Sequence, residues 1–213
     1  MKILLIQPNS SDEVNKEFVS LQFPINLGYI AAVLIEAKHE VKLIDLNVME
    51  KSVFTNALNL FKPDIVGFTA LTPNIYNASK LISEVKKNNP NIKIVLGGIH
   101  ASALPIQTME EIKDLDFLVF GEGEKTILEL VSAIQKKQNF KNIRGLVYKN
   151  KNKIIKNKLR EMLENLDTIP MPPRKLISIE LYNTHHVSRG FSRKELKILE
   201  IMTSRGCPNN CIF

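Results

Sequence analysis

A doubly wound α/β domain on a five-stranded parallel sheet, Rossmann-like with flavodoxin-type strand order, is what this 213-residue chain predicts. Three observations carry that expectation. Strand-like and helix-like patterns alternate over residues 1–140. The strand segments are near-continuously apolar, as in Ile65-Val66-Gly67-Phe68, which fits a sheet covered on both faces. Five of the nine glycines, Gly67, Gly97, Gly98, Gly121 and Gly123, gather at the ends of the last three strands, where open α/β sheets bind ligands.

The elements follow in order. Strands are expected at 2–6, 40–46, 64–70, 93–96 and 117–120. Leu27, Ile30, Ala31, Leu34 and Ile35 recur at helical spacing and form one apolar face. Ile75, Ala78, Ile82 and Val85 repeat the pattern, as do Ile127, Leu130, Val131 and Ile134. Strands separated by helices imply right-handed crossovers and parallel pairing. After residue 140 the character changes. Segments 143–149 and 153–157 flank Asn150-Lys151-Asn152 and read as a β-hairpin. Three prolines, Pro170, Pro172 and Pro173, then predict a stiff, extended linker, and 196–202 is a further candidate strand. The expected organisation is 1–140, a hairpin and linker over 141–195, and the start of another domain at 196–213.

Composition bounds the class. Hydrophobic residues at 44% and charged residues at 24% are globular values, and no apolar run approaches the roughly 18 residues of a membrane span. With only two cysteines and no signal-peptide organisation, the chain is expected to be cytoplasmic, without a disulfide framework. The net charge of +7 is unevenly placed: residues 1–140 carry 14 Lys+Arg against 16 Asp+Glu, residues 141–213 carry 15 against 6, and no arginine precedes Arg144. That basic third could meet nucleic acid or an anionic ligand, or be the solvated face of a hairpin.

The first strand-to-helix connection argues against a dinucleotide. Pyrophosphate binding needs a glycine-rich turn at a helix N-terminus, whereas no glycine precedes Gly28. Asp45 stands where a ribose-binding acid would, but without that turn it reads as a strand-end cap. The long polar loop over residues 7–23 suggests a lid or binding segment.

Four ordered strings, Pro24-Ile25-Asn26-Leu27-Gly28-Tyr29-Ile30-Ala31-Ala32, Asp64-Ile65-Val66-Gly67-Phe68-Thr69, Gly97-Gly98-Ile99-His100 and Gly121-Glu122-Gly123-Glu124, resemble the N-terminal cobalamin-binding domain of cobalamin-dependent radical S-adenosylmethionine enzymes. The resemblance implies that Thr69, Leu71 and Thr72 contact the corrin or its nucleotide tail. It places Gly97, Gly98 and His100 along the tail's channel, and has Gly121, Glu122 and Gly123 close over it. Each has a plainer reading: Thr69 as a strand-end hydroxyl, His100 and Glu122 as helix caps. The Asp-x-His-x-x-Gly motif that supplies a histidine to cobalt is replaced by Gln7-Pro8-Asn9-Ser10-Ser11, and His39 precedes the second strand at its opposite end. No protein-supplied lower ligand is expected.

Thr203-Ser204-Arg205-Gly206-Cys207-Pro208-Asn209-Asn210-Cys211 resembles the opening of the radical S-adenosylmethionine motif Cys-x-x-x-Cys-x-x-Cys. By that resemblance Cys207 and Cys211 would be two of three thiolate ligands to a 4Fe–4S cluster, whose open iron chelates S-adenosylmethionine. The third cysteine would fall at position 214, so the chain is expected to be a truncated fragment that binds cobalamin without catalysing. The parent enzyme would generate a 5′-deoxyadenosyl radical and transfer a methyl group, or carry out a related rearrangement. Its partners would be the rest of the radical domain and a reductant protein, with no membrane and no nucleic acid. Rival expectations are a stand-alone corrinoid carrier or sensor, a transfer-RNA-modifying radical enzyme, and a receiver-like regulator, the last lacking clustered acids after its first strand.

Overall fold

The computed structural model describes residues 1–9, 22–151, 153–183, 187–188, 191–192, 199–207, 209 and 211. Five parallel strands, β1 (Lys2–Gln7), β2 (Glu40–Asp45), β3 (Ile65–Thr69), β4 (Lys93–Gly97) and β5 (Phe117–Val119), stand in the order β2-β1-β3-β4-β5. This is the expected flavodoxin-type succession. The hairpin, β6 (Leu146–Asn150) and β7 (Lys153–Lys156), does more than follow the sheet. It pairs antiparallel with β5 through Leu118↔Val147 and extends the sheet to seven strands.

Strand alternation divides the core into two layers. Leu4, Ile6, Val66, Phe68, Ile94 and Leu96 point to one face. There they meet helices α2 (Lys51–Phe61), α3 (Ile75–Asn88) and α5 (Pro105–Glu111), the last preceded by the short α4 (Ile99–Ala103). Ile3, Leu5, Ile65, Val95 and Val119 point to the other, against α1 (Ile25–Glu36) and α6 (Glu124–Gln135). β3 is buried along its whole length, as its unbroken apolar run requires.

The linker is not a free spacer. Ile169, Ile177 and Tyr182 are buried in the α1/α6 layer, with Leu163, Leu166 and Leu176 packed beside them. A helix covered on both sides can be apolar all round, and α1 buries Leu27, Tyr29, Ala31, Val33 and Leu34. Gly28 makes the approach possible: a Cβ there would stand 2.9 Å from Pro172 Cβ and 2.8 Å from Phe23 Cε1. The prolines stiffen the segment, and its apolar residues fasten it down.

A short helix α7 (Glu180–Asn183) and a two-stranded β8 (Val187–Ser188) and β9 (Phe191–Ser192) come next. Of the strand expected at 196–202, residues 199–202 run without strand pairing, and 196–198 lie outside the described residues. A strand needs a paired neighbour, and none of the described strands runs beside this segment. No described helix is long and apolar enough to cross a membrane.

Candidate functional site

The strand order reverses between β1 and β3, and a cavity of about 440 Å³ opens along the carboxyl edge from that switch toward β5. It lies on the α1/α6 face. Register explains why it exists: Leu5 pairs with Gly67, and Thr69 pairs with Gly97, so two adjacent strands lack side chains on this face near their ends. Leu27 and Ile30 of α1, Val119 of β5 and Ile127 of α6 form apolar walls. Thr69 supplies a nearly buried hydroxyl at one end, accepting a 3.0 Å hydrogen bond from Asn26 Nδ2. An apolar slot with one or two oriented polar groups is the ordinary form of a small-molecule site.

The glycines expected to make room divide by cause. Gly98 has φ +98°, and a Cβ there would meet Ala70 O at 2.6 Å and Thr69 Oγ1 at 2.7 Å, so the turn itself demands glycine. Gly97 is different. Its Cβ would meet only Val119 O, at 3.8 Å, so nothing in the fold forbids a side chain there.

Of the residues the sequence singles out, Thr69, Gly97, Gly98, Gly121, Glu122 and Gly123 line the cavity. Leu71, Thr72 and His100 do not. Leu71 stands exposed at the rim; Thr72 begins a 3₁₀ turn, Thr72–Asn74. His100 is buried, and its Nδ1 lies 3.1 Å from Thr72 Oγ1, joining the β3 and β4 loops to each other. Neither His100 nor Glu122 caps a helix: the turns into α4 and α6 carry no side-chain cap. Glu122 instead accepts from the Leu163 N–H at 2.7 Å.

Several participants were not singled out. Asn26 and Ile30 lie within the quoted strings and Leu5 in the first strand, but the meeting of Asn26 with Thr69, Ile30 with Gly123 and Leu5 with Gly67 is a tertiary matter. Glu124 is almost wholly buried, and its carboxylate meets Arg205 at 2.5 Å. Arg205 also reaches Glu122 at 3.4 Å and lies over the Tyr29 ring. Cys207 and Cys211 are free and exposed, and no group of three or more His, Cys, Asp or Glu side chains among the described residues could hold a metal ion.

Asp45 acts as a strand-end cap. Its Oδ1 accepts from the Asn47 N–H at 2.9 Å and from Asn47 Nδ2 at 2.8 Å. Burial pushes its carboxyl above the usual range, against the pull of these bonds. The loop expected as a lid falls mostly outside the described residues; its start is fixed where Asn47 and Asn74 both donate to Pro8 O at 3.4 Å. His39 lies at the amino edge, 3.3 Å from the Met1 amino group.

A family model described as B12 binding domain matches residues 14–131, over half of the chain. An uncharacterized methyltransferase of Pyrococcus horikoshii is 37% identical over 216 residues, spanning all of this chain and 45% of that protein. The anaerobic magnesium-protoporphyrin IX monomethyl ester cyclase of Rubrivivax gelatinosus is 29% identical over 220 residues, spanning all of this chain and 38% of the cyclase. The chain thus spans less than half the length of either relative. The solved structure of OxsB, a cobalamin-dependent S-adenosylmethionine radical enzyme with aqua-cobalamin and S-adenosylmethionine bound, shares the fold. Its TM-score is 0.70 at 19% identity, over 85% of this chain and 25% of that one.

Proposed function

This chain belongs to the B12-binding domain family and is related to cobalamin-dependent radical S-adenosylmethionine enzymes, and from that premise we propose that the cavity at the ends of β3, β4 and β5 receives the nucleotide tail of cobalamin. The observation that carries the reading is Gly97, a glycine without a backbone or packing reason, opening onto an apolar slot of about 440 Å³. Ile30 and Ile127 on one side and the bare strand ends on the other would hold a planar aromatic base, and the Thr69 hydroxyl and the loop glycines would be available to its sugar and phosphate. Leu71, Tyr76 and Ile99 leave large apolar surfaces exposed at the same edge, suited to the flat macrocycle outside it.

Bound cobalamin would supply a cobalt centre able to carry a methyl group. The chain's own part is to bind and orient: Thr69, Gly97, Gly98, Gly121, Glu122 and Gly123 around the tail, Leu71 at the rim, and Thr72 with His100 holding the two loops in register. Soft thiolates at Cys207 and Cys211 suit iron–sulfur chemistry and would be two of the three ligands of a 4Fe–4S cluster. On this reading the described residues bind and orient the cofactor, and methyl transfer or a related radical reaction, proposed for the whole protein, would draw on a radical domain and a reductant.

Incubation of the chain with hydroxocobalamin, followed by desalting, tests the reading. Cys207 and Cys211 are replaced by serine so that no thiolate can capture cobalt. Corrin absorbance should elute with the protein at close to one equivalent; a colourless protein fraction overturns the assignment.

A further inference from the structure

Arg205 reaches back from the segment before Cys207 to the rim of the cavity. Its Nη2 is 2.5 Å from Glu124 Oε1, its Nη1 is 3.4 Å from Glu122 Oε1, and its Nε is 3.1 Å from Met202 Sδ. The guanidinium carbon lies 5.2 Å from the Tyr29 ring centroid, and both Arg205 and Met202 line the cavity. The two carboxylates flank Gly123 in the turn between β5 and α6, and the Arg205 side chain is only 19% exposed. One planar fork thus meets two acids and an aromatic face, a combination that a lysine ammonium cannot reproduce.

Residues 199–205 have no regular secondary structure, so side-chain contacts hold them. Arg174 donates to the Glu200 carbonyl, and Arg205 anchors the other end. Gly206, which follows, has φ +81°, and an added Cβ would find only Met162 Sδ at 4.0 Å. Cys207 therefore leaves an anchored arginine through a loosely packed turn.

We propose that Arg205 is a positioning residue that closes the mouth of the cavity and fixes the seat of Cys207, so that filling the cavity and placing the Cys207 loop are coupled. The proposal rests on the cofactor reading above. A ligand packed beneath the guanidinium stabilises the closed latch. By linkage, a closed latch holds the ligand more tightly by the same factor.

The test uses the chain with Cys211→Ser, in which Cys207 is the single thiol, and follows its modification rate with an aromatic disulfide reagent. Without cofactor, Arg205→Ala and Glu124→Gln should each raise the rate severalfold, with no further increase in the double variant and Arg205→Lys in between. With saturating cyanocobalamin, which does not itself react with thiols, the rate in the parent should fall by about fivefold or more. In Arg205→Ala it should not fall, although corrin still elutes with the protein. Equal rates in parent and variants without cofactor overturn the latch, and equal cofactor protection in parent and Arg205→Ala overturns the coupling. Loss of corrin from the parent itself strikes the cofactor reading, and the coupling with it. Circular dichroism and the urea midpoint identify any variant that fails to fold, and Glu124→Gln, which keeps its shape, then carries the test.

Discussion

The Tyr182 hydroxyl donates a 3.0 Å hydrogen bond to Asp45 Oδ2, joining residues 137 apart in sequence. Asp45 ends β2 and Tyr182 lies in α7, so the bond fastens the end of the linker to the sheet. Phe23, at the entry to α1, meets the Tyr182 ring edge-on, with centroids 6.2 Å apart. Burial and the adjacent carboxylate push the Tyr182 hydroxyl far above the ordinary phenol range, so it remains a proton donor at every working pH.

Tyr182→Phe should therefore destabilise the chain by about 1–3 kcal/mol, because Asp45 Oδ2 is left buried without its partner while the ring still packs. The urea midpoint measures the loss, and limited proteolysis should show earlier cleavage within residues 160–180. An unchanged midpoint would mean that the bond contributes nothing net.

Asp45 gives the chain a pH dependence of defined sign. Its folded carboxyl holds a proton more tightly than the unfolded one, whose ordinary value is 3.8. The folded state thus binds more protons between 3.8 and the raised value, and this group's contribution to stability falls as pH rises through that window. Asp45→Asn should flatten the slope there and be at least as stable as the parent at pH 7. Unfolding curves from pH 4 to 7 give the comparison, and a steeper slope in the variant would contradict the assignment.

Two neighbouring glycines should respond in opposite ways. Gly97→Leu places a side chain in the open slot, so folding stability should change by less than about 1 kcal/mol while cobalamin retention drops tenfold or more, a change of about 1.4 kcal/mol in binding. Gly98→Ala forces a Cβ against Ala70 at φ +98° and should cost about 1–3 kcal/mol of stability. Equilibrium unfolding alongside corrin absorbance after desalting separates the two; full retention in Gly97→Leu would put the tail elsewhere.

Gly28→Leu should pry the linker from α1. Even its Cβ would stand under 3 Å from Pro172 and Phe23, and overpacking of that kind costs about 1–3 kcal/mol. Thermal unfolding should show the loss, with the five-stranded core retaining its circular dichroism signature.

The amino-acid order by itself determined the alternation of strands and helices, the parallel sheet and the edge at which the cavity opens. Those features repeat locally: the unbroken apolar run of β3, the 3.6-residue spacing in α1, α3 and α6, and glycines at successive strand ends all report burial by neighbours a few positions away. Six of the nine residues expected around the cofactor come together at one cavity, because strand ends in parallel register bring their following loops together. What only the tertiary structure decided is where distant segments land. The hairpin's pairing with β5, the seating of the linker on α1, the Asp45–Tyr182 bond and the closure of Arg205 on Glu122 and Glu124 depend on surfaces that exist only once the sheet is formed. The same holds for the glycines. Sequence marks Gly97 and Gly98 alike, and only the surrounding atoms distinguish the one the backbone requires from the one that leaves room.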